Sequence, residues 1–227
     1  MTEAALALEE LIRGNPHLWR GQKNAYSADS SDQSTDTGFT GLNGLLPNGG
    51  WPRKSMTEIV VPDWGHGELQ ILLPLLRYVQ SFEKQIAFIA PPFTPYAPAL
   101  EQSGLNLDRL IVIDSGLPAK DIWWVAEKIQ RHPDCGVVLL WPNPWSDTWH
   151  GQKNGSGFTG ADRQLRKLQV AANAANNFGF TFRRGSFSDT PVGLRLKVAR
   201  CEQGLSVEIL KSRFGWSSQR QTVLPLA

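Results

Sequence analysis

The 227-residue sequence has few of the residues that build metal centres and disulfide frameworks. It contains only two cysteines, Cys135 and Cys201, and four histidines scattered along the chain. Metal sites and disulfide-rich folds need such residues in closely spaced groups. The sequence therefore predicts two reduced structural thiols, no metal and no bound cofactor.

Long hydrophobic runs and a basic amino-terminal segment are also missing. The longest apolar stretch, around 69–76, is interrupted by Gln70 and followed by Arg77, which is too short for a transmembrane helix. The first residues, 1–4, include an acidic side chain and lack the positive charge of a secretion signal. No Gly-x-Ser-x-Gly nucleophile motif occurs. These absences predict a cytoplasmic protein with no membrane partner and no hydrolase triad of that type.

Charge is present but unevenly distributed. The net charge is +2, yet residues 161–227 carry 11 of the 23 Lys and Arg residues and only four of the 21 Asp and Glu residues. A basic region on a nearly neutral chain is typical of a surface that binds nucleic acid or an acidic partner. Solvated helix and strand faces explain the same pattern equally well.

Strand and helix patterns alternate through the middle of the chain. Short, continuously apolar strands separated by helices indicate a mainly parallel sheet covered on both faces, with an antiparallel hairpin at the carboxyl end. The predicted strands are Thr57–Val61, Ile86–Ala90, Leu110–Ile113, Gly136–Leu140, Gly179–Arg183, Val192–Arg200 and Leu205–Lys211. The predicted helices are Glu68–Ser81, Tyr96–Ser103, Ala119–Arg131 and Ala161–Asn176.

The pattern divides the chain into three parts. Residues 1–37 comprise a short amphipathic helix at 3–13 and a polar, disordered linker at 27–37. Residues 38–211 form the α/β domain, and residues 212–227 form a flexible tail.

A glycine-containing loop follows the first predicted strand. The segment Asp63-Trp64-Gly65-His66-Gly67-Glu68-Leu69 lies between a buried strand and an apolar helix, as in phosphate-binding loops. In a working loop the last glycine precedes Lys and Ser or Thr, which meet the phosphates and Mg²⁺. A carboxylate ~4 Å from a phosphate charge instead costs about 4 kcal/mol at an effective dielectric constant of ~20. Gly65, Gly67 and Glu68 therefore predict a degenerate nucleotide loop, or simply a tight turn.

The order of these segments resembles the RecA-type ATPase core, and more closely the ImuA and SulA families. The segments that carry the resemblance are Leu18–Gly21, Leu45–Pro52, Gly67–Leu69, Ala90–Pro92, Pro95–Leu100 and Leu205–Lys211. The resemblance implies a RecA-like fold. It places the catalytic carboxylate after the second strand, where Pro91 and Pro92 stand, and the metal-directing acid at the end of the fourth strand, near Trp141. Three requirements of ATP hydrolysis are thus missing from three places.

Resemblance to ImuA implies a non-catalytic adaptor in DNA-damage-induced (SOS) translesion DNA synthesis. The implied partners are an inactive Y-family polymerase homologue and an error-prone polymerase subunit, with RecA or single-stranded DNA as further partners. Resemblance to SulA implies a different role, a cell-division inhibitor that binds FtsZ and blocks its polymerisation. Such inhibitors carry an exposed Trp in the helix after the second strand, where Ala99 stands here. A genuine ATPase is the third alternative.

Two segments combine tryptophan with positive charge and are candidates for binding a partner or DNA. In RecA-type proteins the segment after the fourth strand contacts DNA, and indoles stack on unpaired bases while cations follow the phosphates. The candidates there are Trp141, Trp145, Trp149, Lys153, Arg163, Arg166 and Lys167. The second segment, in the tail, contains Arg213, Phe214 and Trp216. The alternatives are that the tryptophans pack beneath their loop and that the tail is a frayed terminus.

Overall fold

The computed structural model describes residues 34–46, 48–142, 160–185, 190–213 and 220–225. The strands in these ranges are β1 (Ser34–Thr35), β2 (Trp51–Pro52), β3 (Ser55–Val61), β4 (Gln85–Ile89), β5 (Leu110–Ile113), β6 (Cys135–Leu140), β7 (Phe178–Arg184), β8 (Leu194–Cys201), β9 (Gly204–Ser212) and β10 (Gln221–Leu224). The helices are α1 (Thr40–Leu45), α2 (Leu73–Gln80), α3 (Ala97–Gln102), α4 (Ala119–Gln130) and α5 (Gly160–Ala175). Short 3₁₀ helices cover Gln70–Leu72 and Leu107–Arg109.

Eight strands form one mixed sheet in the order β10-β9-β8-β3-β7-β6-β4-β5. The strands from β8 to β5 are parallel, and β8, β9 and β10 pair antiparallel. The parallel strands therefore end together at one side of the sheet, called here the carboxyl edge, and begin together at the other, the amino edge. The expected α/β fold with a mainly parallel sheet and a carboxyl-terminal hairpin is confirmed.

The sheet separates two hydrophobic layers. On the first face, α1 and α2 cover the aromatic residues of β7 together with Trp51 and Phe88. On the second face, α4 and α5 cover Met56, the alternate residues of β4 and β6, and Val192. All seven residues of β3 are buried because this strand lies inside the sheet and has side chains in both layers. This double burial explains why the strand is continuously apolar apart from Glu58 and its small hydroxyl residues.

Two predictions about the flanks of the domain are wrong. Ser34 and Thr35 pair with Pro52 and Trp51, so part of the predicted disordered linker is a strand. In the predicted flexible tail, β10 pairs with β9 and places Leu224 in the first hydrophobic layer. Both segments are short, at two and four residues, and pairing with distant strands rather than local sequence orders them. The predicted helix at 3–13 lies outside the described residues.

No helix within the described ranges has the length and apolar character needed to cross a membrane.

Candidate functional site

The loop after β3 turns sharply at two glycines. Gly65 has φ +82° and Gly67 has φ +96°, a region that side-chain-bearing residues rarely adopt. Space also restricts Gly67, because a Cβ atom there would lie 2.5 Å from Leu205 Cδ2 of β9. The loop therefore needs glycine at position 67 for both its backbone conformation and its packing against the hairpin.

The carboxylate of Glu68 folds back into the loop that contains it. Glu68 is only 6% exposed, and its Oε1 accepts a hydrogen bond of 3.0 Å from the backbone N–H of Gly65. Its Oε2 is buried and has no hydrogen-bond partner among the described residues. Phosphate-binding loops hold their ligand with such backbone N–H groups. One donor of this loop is therefore already bonded to an anionic group of the protein itself.

The helix after the loop begins later than the sequence predicts. A 3₁₀ turn occupies Gln70–Leu72, and α2 begins at Leu73 instead of near Glu68. The N–H groups of Gln70 and Ile71 donate to Gly67 O, at 2.9 and 3.4 Å. Those of Leu72 and Leu73 donate to the carbonyls of Leu69 and Gln70. Of the first-turn amides that a helix starting at Glu68 would offer to an anion, that of Gln70 is paired within the backbone.

An ion pair and an aromatic contact fix the other side of the loop. Arg184, the last residue of β7, lies 3.3 Å from Asp63 Oδ1, and its guanidinium lies 5.8 Å from the ring centroid of Trp64. A hydrogen bond from the Trp64 N–H lowers the pKa of Asp63, and the bond from Arg184 lowers it further. Sequence reasoning missed Arg184, because β7 and this loop are distant in the chain and adjacent only in the sheet.

Trp141 lies in the core, which corrects its prediction as a partner or DNA contact. It is 2% exposed and stacks on Phe182, with ring centroids 4.3 Å apart and planes 10° apart. Phe88 flanks it at 6.1 Å. The signal was available in the sequence: Val137, Leu139 and Trp141 alternate, so they point to the same face of the sheet. The indole occupies the position where the resemblance places the metal-directing acid.

No acidic residue directly follows β4, the second strand that the sequence predicts. Ala90 follows β4, is fully buried, and adopts φ +54°; its N–H donates to Ile113 O at 2.8 Å. Pro91 comes next and can donate no backbone hydrogen bond. The position that the resemblance assigns to an activating carboxylate therefore holds Pro91 and Pro92, neither of which carries an acidic group.

The predicted cations of α5 lie together on its outer face. Arg163, Arg166 and Lys167 are exposed and separated by three and four residues, which places them side by side on a helix. The neighbouring helix α4 contacts α5 and presents Trp124, which is 60% exposed with Lys128 Nζ 5.8 Å from its ring centroid. These five residues are named the α4–α5 surface. Of the pair Trp123 and Trp124, one faces the core as the helical pattern predicts.

The remaining candidates are divided between described and undescribed residues. Arg213 is exposed just beyond β9, and its N–H donates to Gly193 O at 2.9 Å. The other candidates of these two segments lie outside the described residues: Trp145, Trp149, Lys153, Phe214 and Trp216.

A buried charge cluster in the middle of the sheet was not foreseen. Glu58 of β3 is fully buried and accepts hydrogen bonds from Arg183 of β7 at 2.7 Å, from Thr190 at 2.8 Å, and from Arg195 of β8. Lys211 of β9 donates to Thr190 O at 2.7 Å. Burial lowers the pKa of Arg183, and the Glu58 carboxylate opposes that shift. The cluster joins four strands and has ion pairs centred on Glu58, which is the arrangement of a structural ion network.

Within the described residues, no group of three or more His, Cys, Asp or Glu side chains is arranged to hold a metal ion. No protein-family model matches the chain, and no curated protein matches it.

Proposed function

We propose that this protein is a cytoplasmic, non-catalytic RecA-like adaptor in SOS translesion DNA synthesis. It binds an inactive Y-family polymerase homologue and an error-prone polymerase subunit. The proposal rests on the ImuA-like segments of the sequence. The observation that supports a non-catalytic role most directly is the hydrogen bond from Gly65 N–H to the buried Glu68 carboxylate.

Three positions of the fold support that role together. The loop carries Glu68 where a P-loop lysine would stand, Pro91 and Pro92 follow β4 where the activating acid would stand, and β6 leads into the buried Trp141. Phosphoryl transfer depends on positioned cations and on acids that hold Mg²⁺ and orient the nucleophile. One missing group can be supplied by another subunit, but three losses at three places remove the charge distribution that the reaction needs.

The α4–α5 surface is the best-supported contact region for the polymerase partners. Its exposed tryptophan and its two arginines are residue types that dominate binding energy at protein interfaces. An adaptor acts by holding its partners together, so a rigid sheet with such a surface on its covering helices is sufficient for the role.

Capture of the two polymerase partners by the purified full-length chain tests this proposal. We expect Trp124→Ala to weaken capture by about tenfold or more, the scale of an interface hot spot, with an unchanged far-UV circular dichroism spectrum. Phe82→Ala is the matched control, because Phe82 is 58% exposed, close to the 60% of Trp124, and lies outside the α4–α5 surface. Absence of capture by the unmodified chain would contradict the function. Equal capture by Trp124→Ala and the control would contradict the assigned surface.

A cell-division inhibitor is the second candidate, and one observation favours it. Phe93 and Tyr96, next to α3, are 62% and 72% exposed, and Ala99 in that helix is also exposed. The SulA resemblance places an exposed aromatic contact in this region. Sedimentation of FtsZ polymer with the purified protein decides the matter: loss of polymer, restored by Tyr96→Ala, would favour inhibition, and undiminished polymer would remove this candidate.

A further inference from the structure

A polar pocket of about 330 Å³ opens at the amino edge of the sheet, on the opposite side from the glycine loop. Three elements that are distant in the sequence form it: the turn before β3, the carboxyl-terminal half of α5, and the residue that follows β9. Its walls include Arg53, Lys54 and Arg213, together with the amide side chains of Asn48 and Asn173.

The charges of this pocket all have one sign. Three cations line it, and none of the described residues in its lining carries a carboxylate. In contrast, Arg183 and Arg195 in the buried cluster face the carboxylate of Glu58. Unneutralised cations that converge on one concavity attract an anion, and backbone phosphates are the anions that Lys and Arg most often contact in nucleic-acid complexes.

Packing holds the pocket in place before any ligand arrives. Gln169 of α5 accepts a hydrogen bond from Met56 N–H at 2.9 Å and donates to Lys54 O at 3.1 Å, which fixes the helix to the start of β3. The Arg53 guanidinium lies 5.3 Å from the centroid of the Phe178 ring. Its Nε is buried and has no hydrogen-bond partner among the described residues. Phe178 belongs to the first hydrophobic layer and is not part of this pocket's lining, so the preformed part of the pocket is the wall that Gln169 fixes.

The pocket continues toward positive charge on α5. Arg166 and Asn173 are seven residues apart and share one side of the helix, about 10 Å apart at a rise of 1.5 Å per residue. A chain of phosphates seated in the pocket can therefore extend along α5 past Arg166 toward Arg163. A small anion would occupy the pocket alone and leave this extension unused.

We propose that this pocket binds a backbone phosphate of single-stranded nucleic acid, whose strand then follows the cationic side of α5. The inference goes beyond the proposed adaptor role, which requires only protein partners. It assigns a binding function to Arg53 and Lys54, and it joins them to Arg213, which the sequence placed in an unrelated tail.

The test variant combines Lys54→Asn with Arg213→Gln. Lys54 has φ +58°, and asparagine tolerates this conformation better than most residues, so the turn is preserved. The side chain of Arg213 is exposed. The hydrogen bond to the Gly193 carbonyl comes from the backbone N–H of Arg213, which the substitution leaves in place. The matched control is Lys197→Gln with Arg200→Gln, which removes two exposed cations from β8 that do not line the pocket.

Fluorescence anisotropy with a labelled 20-nucleotide oligo(dT) measures the effect. We expect the pocket variant to bind about tenfold more weakly at 100 mM NaCl. We also expect the slope of log K against log[NaCl] to fall by about 1.4, at ~0.7 per lost phosphate contact. The control should stay within about twofold of the unmodified protein in affinity. Equal affinity and slope for the pocket variant and the unmodified protein would overturn the proposal.

Pyrophosphate distinguishes a nucleic-acid phosphate from a free one. If 1 mM pyrophosphate raises the melting temperature of the unmodified protein while oligo(dT) does not bind, the pocket takes a small anion and the nucleic-acid assignment is wrong. Capture of the polymerase partners should be the same for the pocket variant and its control. If the adaptor role is wrong, capture of the polymerase partners will fail while the result of the oligo(dT) assay is unaffected.

Discussion

The two edges of the sheet treat anions in opposite ways. At the carboxyl edge, the loop that resembles a phosphate-binding loop gives a backbone donor to its own Glu68, and the following amides bond to backbone carbonyls. At the amino edge, Arg53, Lys54 and Arg213 line a pocket to which the described part of the chain contributes no carboxylate. At the edge with the familiar motif, a carboxylate of the protein takes up a loop donor; at the edge without a motif, the proposed anion pocket is lined by cations.

This difference indicates that a phosphate-binding motif predicts anion binding only when its backbone N–H groups are not already bonded. Gly65 and Gly67 preserve the turn, because backbone conformation and packing against Leu205 require them. We expect this turn not to bind phosphate, because a carboxylate occupies it and α2 begins at Leu73, five residues after the predicted start at Glu68. Binding follows the charges and the unpaired donors, which depend on packing between distant segments.

The largest expected difference between the two edges is in the reactivity of their cysteine thiols. Burial raises the pKa of Cys135, at the start of β6, to about 12, whereas Cys201 lies partly exposed at the end of β8. At pH 8 a thiol of pKa 12 has about a thousandfold less thiolate than one of pKa 9, and thiolate is the reactive form. We expect DTNB to label Cys201 in the native protein and to label Cys135 only after unfolding. Equal rates for the two thiols would show that the start of β6 is open to solvent.

The same shift fixes the direction of a pH effect on stability. The pKa of Cys135 is higher in the folded protein than the ordinary value of 9.0. Its contribution to stability is therefore complete below pH 9 and decreases as the pH rises toward 12. Cys135→Ala should weaken this decrease in urea unfolding experiments at pH 8 to 10.

Disrupting the buried cluster around Glu58, between the two edges, should give the next largest effect, a loss of unfolding free energy. Glu58→Gln leaves Arg183 and Arg195 without their buried carboxylate, and breaking such a pair costs about 3–5 kcal/mol of unfolding free energy. Urea denaturation measures it, with Glu208→Gln on β9 as a control expected to change stability by less than about 0.5 kcal/mol. A loss of less than about 1 kcal/mol for Glu58→Gln would mean that the sheet does not depend on this cluster.

A substitution at Gln169 tests how the wall of the pocket at the amino edge is held in place. Its side chain bonds to Met56 N–H and to Lys54 O. Gln169→Leu leaves both groups without this partner and should cost about 1–3 kcal/mol. Asn173→Leu, one turn further along α5, is a suitable control because Asn173 is exposed. If both variants are equally stable, the pocket wall is not fixed in the way described.

Glu68 should give the smallest change in stability. Glu68→Ala removes the acceptor of the Gly65 N–H, but Gly65 is exposed, so water can replace the bond and the cost should be about 1 kcal/mol. Glu68→Gln keeps an acceptor oxygen and should lose less. Glu68→Ala should also fail to bind ATP, because the amides of Gln70 and Ile71 remain paired. Micromolar ATP affinity in this variant would mean that the carboxylate alone blocks the loop.

Much of the fold was predictable, because the parallel strands are short, continuously apolar and separated by helical patterns. Ser34–Thr35 and β10 were not predictable, since their order depends on pairing with β2 and β9. The start of α2 was misplaced because Glu68 and Leu69 are helix-forming residues that tertiary contacts hold in a turn. Trp141 was assigned to a surface although its alternation with Leu139 marked a core position.

The pocket at the amino edge could not be predicted from local sequence. Arg53, Gln169 and Arg213 come together only because β3 lies beside β8 and beneath α5. Sequence charge statistics indicated a basic carboxyl-terminal third, but they did not identify its contact with the turn before β3.

Binding of fluorescent ATP in the presence of Mg²⁺ tests the central claim most directly. The contrast between the edges predicts no saturable binding at the glycine loop up to millimolar nucleotide, and no signal that Gly67→Ala removes. Saturable micromolar binding that Gly67→Ala abolishes, with ATP turnover on single-stranded DNA, would contradict the claim that the loop is internally satisfied.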